Sequence, residues 1–269
     1  MNLTHSVRDR PIEKIRDIFK DYPDKERLAW FIDVCKRGVN IQVHPSLNPP
    51  QRQRTKNAPF DQKAMIGIGT QVLKWRQKSW ILGPFSDKMA REWNLTMNML
   101  FRVMKPDGSS RPILNLADKS STGFSVNEVL KPEWCTVEYI QQKEIIETLR
   151  ALGPNSWIWA KDLADGYYNV SVRKEDVKHL GFHFDGKTYA FQVIPMGLSS
   201  SPTIFTEYMH FPIWAIRNDN KELYEVSVPA DLINLDHFRS FADIVHEDDQ
   251  LIVATIFYYL DDILGGHRT

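Results

Sequence analysis

Phe257-Tyr258-Tyr259-Leu260-Asp261-Asp262-Ile263-Leu264 sets two adjacent carboxylates between apolar arms. The arm before the pair, Leu251 to Leu260, is a nearly unbroken β-branched and aromatic run, the pattern of a buried strand. Ile263 and Leu264 resume the apolar pattern, so Asp261 and Asp262 sit at or near a tight turn. Asp tolerates turns well, and a plain hairpin loop accounts for the dipeptide taken alone. Chemistry offers an alternative. Like charges this close repel, and holding them beside apolar strands costs several kcal/mol unless cations compensate. Two hard divalent ions bound by carboxylate oxygens supply that compensation. A pair of such ions about 4 Å apart assists an in-line displacement at phosphorus. The arrangement needs a third carboxylate from a neighbouring strand. Asp162, at the end of the apolar run Trp157-Ile158-Trp159-Ala160-Lys161, meets that need, with Asp165 three residues on.

Composition bounds the setting. The chain has 269 residues, 42% hydrophobic and 12% aromatic, enough for one large core or two small subdomains and too apolar for disorder. No window approaches the roughly 18 consecutive apolar residues of a membrane span. The first ten residues lack an apolar signal region. Cys35 and Cys135 have no metal-ligand spacing and read as reduced thiols, so an intracellular protein, cytoplasmic or nuclear, is expected. The 34 basic and 34 acidic residues cancel, which argues mildly against a protein that grips nucleic acid. Their distribution softens that objection: Arg52, Arg54, Lys56 and Lys63 cluster, followed by Lys74, Arg76 and Lys78. Solvated surface explains each run equally well.

Residues 11–38 read as helical, interrupted at Pro23-Asp24 and ending at Gly38, and 44–60 read as a linker. Leu100 to Met104 and Arg111 to Leu116 form a hairpin across the Lys105-Pro106-Asp107-Gly108 turn, with Pro112 pointing to an edge strand. A helix over 136–151, strands at 157–160, 168–172, 180–184 and 189–193, and a helix over 202–216 follow. A mixed α/β (α+β) layer architecture results.

These residues resemble a known family. Tyr259-Leu260-Asp261-Asp262 looks like the Tyr-x-Asp-Asp box of reverse transcriptases, and Asp162-Leu163-Ala164-Asp165-Gly166-Tyr167-Tyr168 is similar to their first palm motif. Phe191-Gln192-Val193-Ile194-Pro195-Met196-Gly197-Leu198, continuing through Ser201-Pro202-Thr203-Ile204-Phe205, resembles the next, and the Lys105–Arg111 hairpin resembles their fingers segment. The four motifs come in order across residues 101–264. The retroelements of the LTR and tyrosine-recombinase (DIRS-like) groups are the nearest in flavour.

The resemblance implies a right-hand polymerase palm with an antiparallel sheet backed by helices, plus fingers, the thumb being absent. On that scheme residues 1–60 are a helical extension and linker, 61–160 the fingers with the first part of the palm, and 161–269 the palm. It also implies roles. Asp162, Asp261 and Asp262 would hold two Mg²⁺ ions, with Mn²⁺ as a substitute, and the Leu163 carbonyl would add a ligand. Lys105 and Arg111 would reach the incoming triphosphate, Arg with a planar fork and Lys with a compact charge. Asp165 and Gly166 would present backbone amides, Tyr167 would gate the sugar 2′-hydroxyl, and Met196 and Gly197 would line the nucleotide pocket. Asp165 reads equally as a turn residue, Tyr168 could exchange roles with Tyr167, and a solvated hairpin remains open for Lys105 and Arg111. The implied partners are an RNA or DNA template, a DNA primer and dNTPs, with no membrane.

Three features depart from the family's pattern. Met196 stands where several relatives carry Gln. The stretch from Gly197 to Tyr259 is longer than the family usually needs, so an insertion near 217–250 is expected, with Glu247-Asp248-Asp249 at its solvated edge. The chain stops just past the box, which suggests a piece of a larger polyprotein with thumb and RNase H, or a degraded copy. An RNA-dependent RNA polymerase is a second candidate, but those enzymes place a further Asp where Gly166 or Tyr167 stands and favour Gly-Asp-Asp. A third is a truncated or domesticated palm that only binds nucleic acid.

Overall fold

The computed structural model describes residues 10–45, 55–106, 108–119, 124–137, 139, 141–151, 155–219, 240–241, 254–259 and 262–267. Contacts divide the chain into two compact units, each discontinuous in sequence: residues 1–136 with 167–204, and 137–166 with 205–269. Most of 217–250 lies outside the described residues, Glu247, Asp248 and Asp249 included.

The first unit opens with α1 (Ile12–Ile18) and α2 (Lys25–Arg37). The break between them falls at Pro23-Asp24, because Asp24 leaves the helix to cap the next one: its carboxylate accepts the Arg27 N–H at 2.9 Å. Gly38 ends α2 with φ +83, and a Cβ there would lie 2.7 Å from the Val172 backbone. Next come α3 (Gln62–Gln77), β1 (Ile81–Phe85), α4 (Asp87–Glu92), β2 (Met97–Met104) and β3 (Ser110–Asn115). The helix α3 buries Ala64, Ile68, Val72 and Trp75, a stripe at helical spacing, and Asp61 caps it by accepting the Ala64 N–H at 2.7 Å.

The strands β5 (Gly181–Phe184) and β6 (Lys187–Phe191) complete a five-stranded sheet in the order β1-β6-β5-β2-β3. Its pairs are antiparallel except β2 with β5. Pro112 lies in β3, the edge strand, where a missing N–H costs least. Asp185 and Gly186, both at positive φ, make the two-residue turn of the β5–β6 hairpin. The core behind the sheet is aromatic. Trp75 of α3 meets Phe191 edge-on at 4.8 Å and Phe182 at 6.1 Å. The stretch 168–172, expected as a strand, instead begins with a 3-10 turn, Gly166–Asn169, and gives only isolated bridges from Ser171 to Val193 and Val172 to Val39. The cause is local: Asp165 and Gly166 both have positive φ, which turns the chain before a strand can start.

The second unit contains α5 (Gln142–Ala151), β4 (Trp157–Asp162), most of α6 (Ser201–Asp219), β7 (Ser240–Phe241), β8 (Ala254–Tyr259) and β9 (Asp262–His267). Its four strands form a wholly antiparallel sheet in the order β4-β9-β8-β7. The architecture is thus mixed α/β, with sheets accompanied by helices. Among the described residues no helix is long and apolar enough to cross a membrane. Both cysteines are free, Cys35 buried and Cys135 partly so.

One buried ionisable group makes stability depend on pH. The Asn98 side-chain amide ties β2 to β5, donating to the carbonyls of Thr96, His179 and Gly181 at 3.1, 2.9 and 3.1 Å. His179 is buried there, and its Nδ1 has no hydrogen-bond partner among the described residues. Burial, with Lys178 alongside, lowers its pKa from 6.5 to about 4. Above pH 6.5 the imidazole is neutral whether the chain is folded or not. As pH falls through the window from 6.5 to about 4, the unfolded chain takes up this proton first, so stability is lost. Between pH 7 and pH 4.5 we expect this group to remove roughly 2–3 kcal/mol of unfolding free energy. Guanidinium unfolding of wild type and His179→Leu at both pH values measures it as the difference between their pH slopes. Equal slopes would contradict the assignment.

Candidate active site

In the second unit the acidic residues are placed by strand register. Asp162 closes β4 opposite Asp262, the first residue of β9, and Asp262 pairs in turn with Tyr259, the last residue of β8. Residues directly opposite in an antiparallel ladder have Cα atoms about 5 Å apart and share one face of the sheet. Asp162, Asp262 and Tyr259 therefore form a single row across three strands, although Asp162 and Asp262 are 100 positions apart. Asp162 is solvent-exposed. Leu260 and Asp261 lie outside the described residues. Among the described residues no group of three or more His, Cys, Asp or Glu is placed to hold a metal ion.

The segment after Asp162 turns sharply. The Leu163 carbonyl accepts the Gly166 N–H at 3.2 Å, while Asp165 takes φ +67 and Gly166 φ +32. The Gly166 amide is thus used inside the turn. The Leu163 oxygen keeps a second lone pair, since a carbonyl accepts twice.

In the first unit two tyrosines follow, both half-buried. Tyr168 stacks on Trp80 at 4.4 Å with the rings 28° apart, lies parallel to Phe191 at 6.2 Å, and meets Trp75 at 6.3 Å. It anchors the segment in the aromatic core. Tyr167, half-exposed, spends its carbonyl on the Val170 N–H at 3.0 Å.

Lys105 and Arg111 are both exposed on the β2–β3 hairpin. Its turn is closed by Lys105 N–H to the Ser109 carbonyl at 2.8 Å and Gly108 N–H to the Lys105 carbonyl at 2.9 Å. Arg111 lies opposite Val103 in the ladder. Arg102, one residue along, is engaged elsewhere: it donates to both oxygens of Asp61, at 3.5 and 2.9 Å. That ion pair and, more strongly, the Ala64 N–H hold the Asp61 carboxyl below its usual range.

Three residues beyond Arg111, β3 receives the turn that carries Met196 and Gly197. Gly197 adopts φ +104, and a Cβ on it would fall 1.9 Å from the Leu114 carbonyl oxygen. No other residue fits there, for both the backbone angle and the contact exclude a side chain. Met196 beside it is half-buried. The structure thus brings Arg111 and the Met196–Gly197 turn onto one strand, about 10 Å apart along it.

Two features of this region escape sequence reasoning. Asn127 bonds both sides of the Gly197 turn: its Nδ2 donates to the Gly197 carbonyl at 2.9 Å, and its Oδ1 accepts the Ser199 N–H at 3.0 Å. An Asn in an irregular stretch reads as a turn former, and no local signal marks a partner 70 residues away. Part of the basic cluster is also explained by packing: Lys74 and Lys78 sit over the Trp80 ring, 5.9 and 4.7 Å from its centroid. Lys56 and Lys63 are exposed, and Arg52 and Arg54 fall outside the described residues.

No curated protein gives a significant match to the chain. Residues 103–269, from within the β2–β3 hairpin through the paired aspartates to the last residue, match the family model described as reverse transcriptase (RNA-dependent DNA polymerase). That match covers well over half of the chain, which therefore belongs to the reverse transcriptase family.

Proposed function

We propose that the chain carries the nucleotidyl-transfer centre of an RNA-directed DNA polymerase of retroelement type. In this reaction a primer 3′-hydroxyl attacks the α-phosphorus of a dNTP on a nucleic-acid template and pyrophosphate leaves. The observation that carries the reading is the register pairing of Asp162 with Asp262, which sets two acidic positions opposite each other in the β4–β9 ladder, 100 positions apart in the chain. A set of hard oxygen donors from distant parts of the chain fits Mg²⁺, or Mn²⁺ in its place, and suits neither a structural zinc site nor a simple turn. Asp162, Asp261 and Asp262, with the Leu163 carbonyl, would hold two such ions. When bound, the ions neutralise triphosphate charge and lower the barrier to deprotonating the attacking hydroxyl.

The remaining groups bind and orient. Arg111 offers a planar fork to phosphate oxygens and Lys105 a compact charge on the same hairpin. Met196 and Gly197 line the nucleotide, Gly197 letting the backbone approach closely. The Asp165–Gly166 turn borders the triphosphate. Tyr167 closes the space where a 2′-hydroxyl would sit, while Tyr168 holds the segment through its stack on Trp80. Gly166 and Tyr167 in this turn, together with Tyr-Leu-Asp-Asp at the box, favour DNA over RNA synthesis. The partners are then a template, a DNA primer and dNTPs, within a longer polyprotein that supplies thumb and RNase H.

Two measurements test this. Asp261→Asn should lower Mg²⁺-dependent extension of a DNA primer on an RNA template by at least about a thousandfold, because charge at the reacting phosphate is then uncompensated. Undiminished extension by that variant would refute the assignment. Tyr167→Ala should raise incorporation of ribonucleotides relative to deoxyribonucleotides by about tenfold or more, since a small side chain no longer excludes the extra hydroxyl. Discrimination left unchanged, with the melting temperature preserved, would move the gate to another residue.

A further inference from the structure

We infer that Asn127 is a positioning residue for the nucleotide pocket, acting through the backbone of the Met196–Gly197–Leu198 turn; this rests on the polymerase reading proposed above. The side-chain amide is a planar group with a donor and an acceptor side by side. It meets a carbonyl and an N–H two residues apart, Gly197 O at 2.9 Å and Ser199 N at 3.0 Å. Asn127 is itself tied to the exit of β3, its N–H donating to the Leu116 carbonyl at 2.9 Å. The short 3-10 turn Asn127–Val129 that carries it is braced by a capping box. Ser125 Oγ accepts the Glu128 N–H at 3.3 Å, and Glu128 Oε2 accepts the Ser125 N–H at 2.9 Å. On its other side the turn rests on Leu114, whose carbonyl occupies the place of a Gly197 Cβ. The tip is therefore held between β3, the strand of Arg111, and the Asn127 amide.

This clamp adds position more than stability. The far end of the turn is secured without it: Ser200 Oγ donates to the buried Ile41 carbonyl at 2.9 Å, and Ser201 Oγ donates to the Pro195 carbonyl at 3.0 Å. Ser201 N–H also reaches the Leu198 carbonyl at 3.0 Å. Removing the Asn127 amide leaves those bonds in place and frees only residues 196–199. A loosened pocket wall weakens the hold on the nucleotide while the carboxylates that run the chemistry stay where they are.

The isosteric variant Asn127→Asp is the sharpest probe, since it keeps the acceptor for Ser199 and sets an oxygen against the Gly197 carbonyl. Asn127→Ala removes both bonds. In single-nucleotide addition by the full chain on a primed template, both variants should raise KM for the dNTP about tenfold, the worth of one ordinary hydrogen bond or slightly more. Their kcat should stay within about threefold, with the melting temperature and primer–template affinity unchanged. Amide hydrogen exchange at Ser199 should quicken in both. Unchanged KM or unchanged Ser199 exchange would overturn the inference, and so would a fall in melting temperature with kcat and KM failing together. A wild-type chain that adds no nucleotide even within the longer polyprotein sinks the polymerase reading and this inference with it. Wild-type activity with unaltered variants sinks the inference alone.

Discussion

Like charges placed opposite each other in a sheet repel, yet the ladder between β4 and β9 begins by setting Asp162 against Asp262. Such a pairing persists only if the rest of the ladder dictates it. Five further pairs follow in unbroken register, from Lys161 with Ile263 to Trp157 with His267, and β8 adds a third strand through Tyr259 to Ala254. A slip of one residue would move every position of β4 to the opposite face. The pairing of Asp162 with Asp262 is thus fixed by the register of the whole ladder.

The first unit works differently, by steric necessity. Gly197 can sit on Leu114 only because it lacks a side chain, and its positive φ is accessible to glycine at little cost. This contact links the turn of Met196 to the strand of Arg111. Likewise Tyr168 is held by its stack on Trp80, backed by Phe191 and Trp75.

The parts legible in the sequence are those governed by local rules. Asp24 and Gly38 mark helix ends through capping and left-handed backbone, and Pro112 marks an edge strand through its missing donor. The β8–β9 hairpin announces itself by apolar arms around paired carboxylates. The helix α3 was legible only as a basic cluster, because Gly67 and Gly69 dilute its pattern and its outer face mixes Lys63, Ile66 and Leu73. The segment 168–172 carries the alternation of a strand, but the positive-φ pair at Asp165 and Gly166 overrides it. Asn127 and the Asp162–Asp262 register are set by tertiary contact across 70 and 100 positions, where periodicity and propensity are silent.

Charge shows the same division between local and global. A balance of 34 basic and 34 acidic residues describes the chain as a whole, whereas affinity for phosphates depends on where cations stand. Several basic side chains have structural partners: Arg102 is held by Asp61, Arg173 bonds Asp33, Lys119 pairs with Glu128, and Lys74 and Lys78 cover Trp80. The three ion-paired cations are partly neutralised by their partners, whereas Lys74 and Lys78 keep their charge over the ring. Lys105 and Arg111 instead stand exposed at the tip and returning arm of a hairpin whose second strand also seats the Gly197 turn. A formal net charge of zero therefore does not describe the surface locally, since interactions between exposed charges fade within a Debye length of about 8 Å.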